Sequence, residues 1–211
     1  MGQRRESAID SYYHVYNRGV DKRVVFPTGA DLRRFIDCMI AFNTEKPVGS
    51  LLELRSRKTK EGNKTRKLVD IICFCLNPNH FHLLLRQNIE GGMAQLMQRL
   101  GGYTQYFNRK YKRSGTLFEG KYKSVLINTN EYLLHVSAYI NLNNQVHRIG
   151  SRRANSSWDE FVGGRKGICS KKIILSQFRT PSEYREFAMA SLQDILERKT
   201  LIKELEAMIL E

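Results

Sequence analysis

The chain has 211 residues, enough for one domain with a sizeable core, or one domain with a helical appendage, but too few for two full domains. Its 35 Lys and Arg against 21 Asp and Glu leave a net charge of +14, while 41% of residues are hydrophobic, which excludes a disordered basic tail and points to a folded protein with a polyanionic partner. The opening MGQRRESAIDSYY has no apolar core of signal-peptide length, and no stretch approaches the roughly 20 apolar residues of a membrane span, so the expectation is a cytoplasmic protein that engages nucleic acid and no membrane.

Tyr12 to Arg18 (YYHVYNR) is rich in aromatic and β-branched residues and stops at Gly19, which predicts a strand and a turn. Leu32, Phe35, Ile36, Met39 and Ile40 fall at helical spacing and predict a helix from Asp31 to Phe42. Residues 49 to 77 read as a long hairpin, rising through Leu51, Leu52 and Leu54, turning at Glu61-Gly62-Asn63 and descending through LVDIICFC; its tip carries Arg55, Arg57, Lys58, Lys60, Lys64, Arg66 and Lys67. After the turn Leu76-Asn77-Pro78-Asn79, the segment HFHLLLR (80 to 86) returns as the next strand. Gly91 to Lys110 predicts a helix weakened at Gly101-Gly102, Lys121 to Ile127 a short strand, and Glu131 to about Asn143 a helix capped by Asn128 or Thr129. Residues 151 to 172 read as a polar basic connector, and 182 to 211 as one or two amphipathic helices open to a dimer seam or a core-capping role. The order implies an α+β fold, an antiparallel sheet with helices packed on one face, as a 1–150 domain followed by a 151–211 extension. Cys38, Cys73, Cys75 and Cys169 lack metal-site spacing and read as small buried residues, Cys73 and Cys75 facing the same side of a strand.

Three features carry chemistry. His80 and His82 are one residue apart on a predicted strand, so both imidazoles leave one face and can hold a divalent cation if a third ligand arrives from elsewhere, although such a pair is more often just polar surface. Tyr139 and Asn143 share one helical face, with His135 a turn earlier. A tyrosine is a weak nucleophile at its ordinary pKa near ~10, but a metal that polarises a phosphate lowers the barrier to a phosphotyrosine ester, which a free 3′-hydroxyl can reseal. The bland alternative for Tyr139 is packing. Between these features, Tyr103, Tyr106, Phe107, Tyr111, Phe118 and Tyr122 interleave with Arg109, Lys110, Lys112, Arg113, Lys121 and Lys123, a pattern suited to unpaired bases and their backbone, with Tyr103 and Phe107 expected to be mostly structural.

The segments Tyr13-His-Val-Tyr-Asn-Arg-Gly19, Asn77-Pro-Asn-His-Phe-His-Leu-Leu-Leu85, Tyr103-Thr-Gln-Tyr-Phe-Asn-Arg109, Gly115-Thr-Leu-Phe-Glu-Gly-Lys-Tyr-Lys-Ser124 and Tyr139-Ile-Asn-Leu-Asn143 resemble, in order, the insertion-sequence-200-like transposases, HUH single-tyrosine enzymes, and within them the REP-associated tyrosine transposase branch. Ser156 to Gly163 and Glu183 to Phe187 look like that branch's downstream segments. The resemblance implies a ferredoxin-like sheet, His80, His82 and Asn143 as ligands of Mg²⁺ or Mn²⁺, Tyr139 as nucleophile, a 5′-phosphotyrosine intermediate on single-stranded or hairpin DNA, and a homodimer. Expected DNA contacts are Arg18, Tyr106, Arg109, Lys110, Lys112, Arg113, Lys121 and Lys123. Two imidazoles favour manganese over magnesium on affinity. Asn144 stands where the family often has proline, and residues 51 to 67 are longer and more basic than a minimal member needs. The alternative is a hairpin DNA- or RNA-binding protein that keeps the fold without catalysis; a replication initiator or relaxase would share the chemistry but needs a further large domain.

Overall fold

The computed structural model describes residues 8–46, 49, 51, 65–150 and 153–209, with side chains described to residue 201. Strand β1 is Tyr12–Arg18. Helix α1, Gly29–Ala41, opens on a capping box in which Thr28 Oγ1 accepts from Asp31 N and the Asp31 carboxylate accepts from Thr28 N. Strands β2 (Val69–Asn77) and β3 (His80–Gln87) form a tight hairpin closed by Pro78-Asn79. The glycine pair splits the next helix into α2 (Gly92–Leu100) and α3 (Gly102–Lys110). Then come β4 (Lys123–Ile127), α4 (Asn130–Asn141, capped by Thr129), α5 (Asn143–Val146), β5 (Asn155–Ser156), α6 (Trp158–Val162), α7 (Lys172–Leu175) and α8 (Pro181–Ile209). The first arm of the expected 49 to 77 hairpin falls mostly on residues 52–64, which lie outside the described residues together with Arg55, Arg57, Lys58, Lys60 and Lys64 of its basic tip, while Arg66 of that tip donates to the Asn88 carbonyl at 2.8 Å; Leu51 is buried and helical rather than extended.

The sheet is five-stranded and antiparallel, in the order β4-β1-β3-β2-β5. The α+β class expected from the element order is therefore present, with β3 at its centre. Helices cover both faces rather than the single face expected. β2 explains this: Phe74 and Leu76 enter the layer with α1, α2 and α3, while Cys73 and Cys75 enter a second layer with α4, α6 and α8. A strand apolar on both sides needs two covers.

Residues beyond 150, read from sequence as a connector and extension, supply much of that second layer. β5 pairs with the edge of β2, and Phe161, Tyr184, Ala188 and Leu192 are buried. A buried polar chain joins these parts: Phe74 N donates to Ser157 Oγ (2.9 Å), Ser157 Oγ donates to Asn141 Oδ1 (2.6 Å), and Asn141 Nδ2 donates to the Tyr184 hydroxyl (2.9 Å). Each partner satisfies the next, so α4 is held at a fixed depth over the sheet.

On the opposite face, α2 meets the start of β2 through Gly92, where an added Cβ would lie 2.4 Å from the Leu68 carbonyl oxygen. Backbone cannot yield cheaply there. Gly92→Ala is expected to lower stability by about 2 kcal/mol, read as a reduced urea midpoint with an unchanged slope.

Candidate active site

The pleat of β3 sends Phe81, Leu83 and Leu85 into the first layer and turns His80, His82 and Leu84 toward α4. The two histidine rings are 5.2 Å apart between centroids and nearly perpendicular. Thr129 starts α4 by accepting from Tyr132 N, and ten residues later the helix presents Tyr139, half-buried, edge-on to His82 at 5.6 Å between ring centroids. The helix breaks at Leu142 and takes one further turn through α5, in which Asn143 is fully buried. His135, one turn before Tyr139, lines the same pocket, with its Nδ1 3.2 Å from Ser191 Oγ and its ring packed on Phe187.

Asn143 reaches the strand. Its Oδ1 lies 3.0 Å from His80 Nε2 and accepts from Asn77 Nδ2 at 2.7 Å. His80 Nδ1 donates to Asn79 Oδ1 at 2.7 Å, and Asn79 is oriented by donating its Nδ2 to the Lys22 carbonyl at 3.2 Å. That assignment leaves His80 Nε2 with its lone pair, which accepts from Asn77 Nδ2 at 2.9 Å. Two acceptors thus face each other with one amide between them. An octahedral cation with bonds of ~2.1 Å holds neighbouring donors at about that 3.0 Å separation, so the donor pair fits a divalent ion. Among the described residues no three His, Cys, Asp or Glu side chains converge as a metal group; what meets here is the Asn143 amide oxygen 3.0 Å from the His80 imidazole, with the His82 ring 5.2 Å from that of His80.

Electrostatics keep the imidazoles neutral, the form that ligates. Burial, reinforced by His14, His80 and His147, holds His82 well below the usual histidine pKa; burial holds His14 at about 4; burial also lowers His80, against an opposing contribution from Asn143. Burial raises the Tyr139 phenol above its ordinary value, with the Asn143 amide pulling the other way. The nucleophile candidate is therefore protonated at rest.

The expected DNA contacts divide between the two faces. Cross-strand partners share a face, so the rows Lys123, Tyr16, His82 and Arg18, His80 place Lys123 and Arg18 beside the histidines. Arg18 is held by Glu119 through two bonds of 3.0 and 3.1 Å. Tyr106 and Lys110 instead bind the buried Asp31, at 3.0 and 2.6 Å, in the layer behind the sheet, and Arg109 lines a cleft there with Arg34 and Arg99. Arg113 is engaged by Asn108 and Thr116; Lys112 and Lys121 are exposed. Sequence reasoning missed His14, whose Nε2 is 2.8 Å from His82 Nδ1, together with Asn77, Asn79 and His147, whose ring is 4.8 Å from that of His80. Asn77 and Asn79 lay within the motif that carried the histidines; His14 required the register between β1 and β3.

A half-buried tyrosine presented by a helix to paired imidazoles on the central strand of an antiparallel sheet defines the class of site. The family described as Transposase IS200 like matches residues 38–145, just over half of the chain, and the chain belongs to that family. A solved structure described as a REP-associated tyrosine transposase bound to a REP hairpin is similar over 80% of this chain and 89% of that one, at 12% identity and a TM-score of 0.46. No match is found among curated proteins. Among the described residues, no helix is long and apolar enough to cross a membrane.

Proposed function

We propose that this chain is a metal-dependent single-stranded DNA transposase or nickase of the REP-associated kind, cleaving and rejoining DNA near hairpins through a 5′-phosphotyrosine at Tyr139. The observation that carries the reading is the meeting of three elements within one chain: Tyr139 edge-on to His82 at 5.6 Å, and Asn143 Oδ1 3.0 Å from His80 Nε2. His80, His82 and Asn143 would hold Mg²⁺ or Mn²⁺, which when bound draws charge from the scissile phosphate and stabilises the oxyanion that develops on it. Tyr139 Oη forms a bond to phosphorus as the P–O3′ bond breaks; the phenolic proton passes to solvent and the departing 3′-oxygen takes one up. Rejoining is the reverse. A 3′-hydroxyl loses its proton and attacks the ester, and Tyr139 leaves as a phenolate, a far better leaving group than an alkoxide, and is reprotonated.

Arg18 and Lys123, on the face of the histidines, together with the exposed Lys112 and Lys121, Arg113, and Arg109 in the cleft behind the sheet, are the proposed contacts to the DNA backbone. Tyr106 and Lys110 are bonded to Asp31, so a DNA contact from either would compete with that carboxylate. A homodimer would bring two DNA ends together for exchange, and the setting is the cytoplasm.

The test is a hairpin-bearing oligonucleotide labelled on the side that keeps the 5′-phosphate, incubated with the protein and Mn²⁺. A denaturation-resistant protein–DNA adduct, and a released strand whose 3′-hydroxyl a polymerase extends, are expected, and chelation should remove both. Tight hairpin binding with no adduct under any divalent metal would replace this reading with that of a non-catalytic binder.

A further inference from the structure

We infer that His14 is a positioning residue that fixes the tautomer of His82, accepting a hydrogen bond from His82 Nδ1–H so that the Nε2 lone pair of His82 is presented to the cation site. This inference rests on the proposed metal-dependent reading and adds a residue to it. The register pairs Tyr16 with His82, so His14, two residues earlier on the same face of β1, lies diagonally beside it. Its Nε2 is 2.8 Å from His82 Nδ1, the rings lie 5.0 Å apart with 29° between their planes, and His14 is only 9% exposed. The Tyr16 ring is stacked on His82 at 5.6 Å and lies 5.1 Å from the His14 ring, so the three rings form one cluster. The same His14 ring meets Tyr139 edge-on at 6.1 Å, so one side chain touches both the ligand and the nucleophile.

One proton lies between His14 Nε2 and His82 Nδ1. If it belongs to His82, the Nε2 of His82 is unprotonated and able to ligate; if it belongs to His14, His82 carries its own proton on Nε2 and cannot. His80 is oriented by the same logic, through Asn79 rather than an imidazole. Partners of this kind behind a ligating histidine are worth roughly 10- to 100-fold in metal affinity.

The experiment compares the wild type with His14→Phe, which keeps a ring but cannot accept, and His14→Gln, whose side-chain oxygen reaches about as far as Nε2. Two readouts are taken: the ¹⁵N shifts and long-range couplings of His82 in metal-free protein, and the Mn²⁺ dissociation constant from electron paramagnetic resonance. In the wild type and His14→Gln, His82 should carry its proton on Nδ1. His14→Phe should show a mixed or reversed tautomer and bind Mn²⁺ at least about tenfold more weakly, with His14→Gln recovering most of that loss. A wild-type His82 protonated on Nε2, or equal Mn²⁺ affinity in the wild type and His14→Phe, overturns the inference. A wild type with the expected tautomer but no Mn²⁺ binding refutes the metal-dependent reading while sustaining the hydrogen-bond assignment.

Discussion

Tyr139→Phe is expected to abolish the covalent adduct and lower strand cleavage by at least about 10³-fold, because the oxygen that bonds to phosphorus in the proposed mechanism is gone. The substitution keeps the ring that packs edge-on to His82 and His14, so the fold and the site's shape should survive. Tyr139 is not among the proposed ligands, and Mn²⁺ affinity should be unchanged. Hairpin affinity should also hold, since the proposed backbone contacts come from other elements. Single-turnover cleavage of the labelled hairpin, with the adduct resolved on a denaturing gel, gives the rate. An adduct of undiminished yield in Tyr139→Phe would remove Tyr139 from the mechanism and with it the meaning of the α4 geometry. The raised phenol pKa gives the companion expectation for the wild type: cleavage at saturating metal should rise with pH across the neutral and alkaline range, as more of the phenol reaches its reactive anion.

Asp31→Ala is expected to cost about 3 kcal/mol of stability. Asp31 is fully buried, and its carboxylate gathers Lys110 at 2.6 Å, Tyr111 at 2.7 Å, Tyr106 at 3.0 Å and Thr28 Oγ1 at 2.6 Å, tying the start of α1 to α3. Removing the acid strips the charge partner from Lys110 and leaves two phenols without their acceptor. Burial alone would raise the Asp31 pKa, but the bonds from Lys110, Thr28, Tyr111 and Tyr106 outweigh it and hold the pKa at about 2. A depressed acid stabilises the fold above its unfolded value near ~3.9, and that contribution, about 2 to 3 kcal/mol, disappears as pH falls through about 2. The gap in urea midpoint between wild type and Asp31→Ala should therefore be widest at neutral pH and narrow steadily below about pH 4. A gap that stays constant to low pH would show that packing, and not the charged network, sets the effect. Because Asp31 lies behind the sheet from the histidines, Asp31→Ala protein that remains folded should still form the adduct.

Much of the site was legible in the sequence because it is local. The spacing of His80 and His82 on a strand fixes a shared face, and that of Tyr139 and Asn143 on a helix does nearly the same, so the four candidates could be named before any tertiary contact was known. The aromatic and basic track from Tyr103 to Lys123 was legible only as composition. Sequence could not show that Tyr106 and Lys110 bond to Asp31, which lies 75 and 79 positions away.

The sequence by itself determined the strand and helix carriers, the pairing of two imidazoles on one face and the likeness to a transposase family, all set by periodicity and motif order within short windows. Only the tertiary structure decided which of those faces meet. The β1–β3 register put His14 against His82, the break at Leu142 brought Asn143 to His80, and the two-sided burial of β2 drew α4, α6 and α8 over the histidine face. Each depends on contacts between residues far apart in the chain, where the burial of apolar surface and the pairing of buried polar groups, rather than local propensity, select the arrangement.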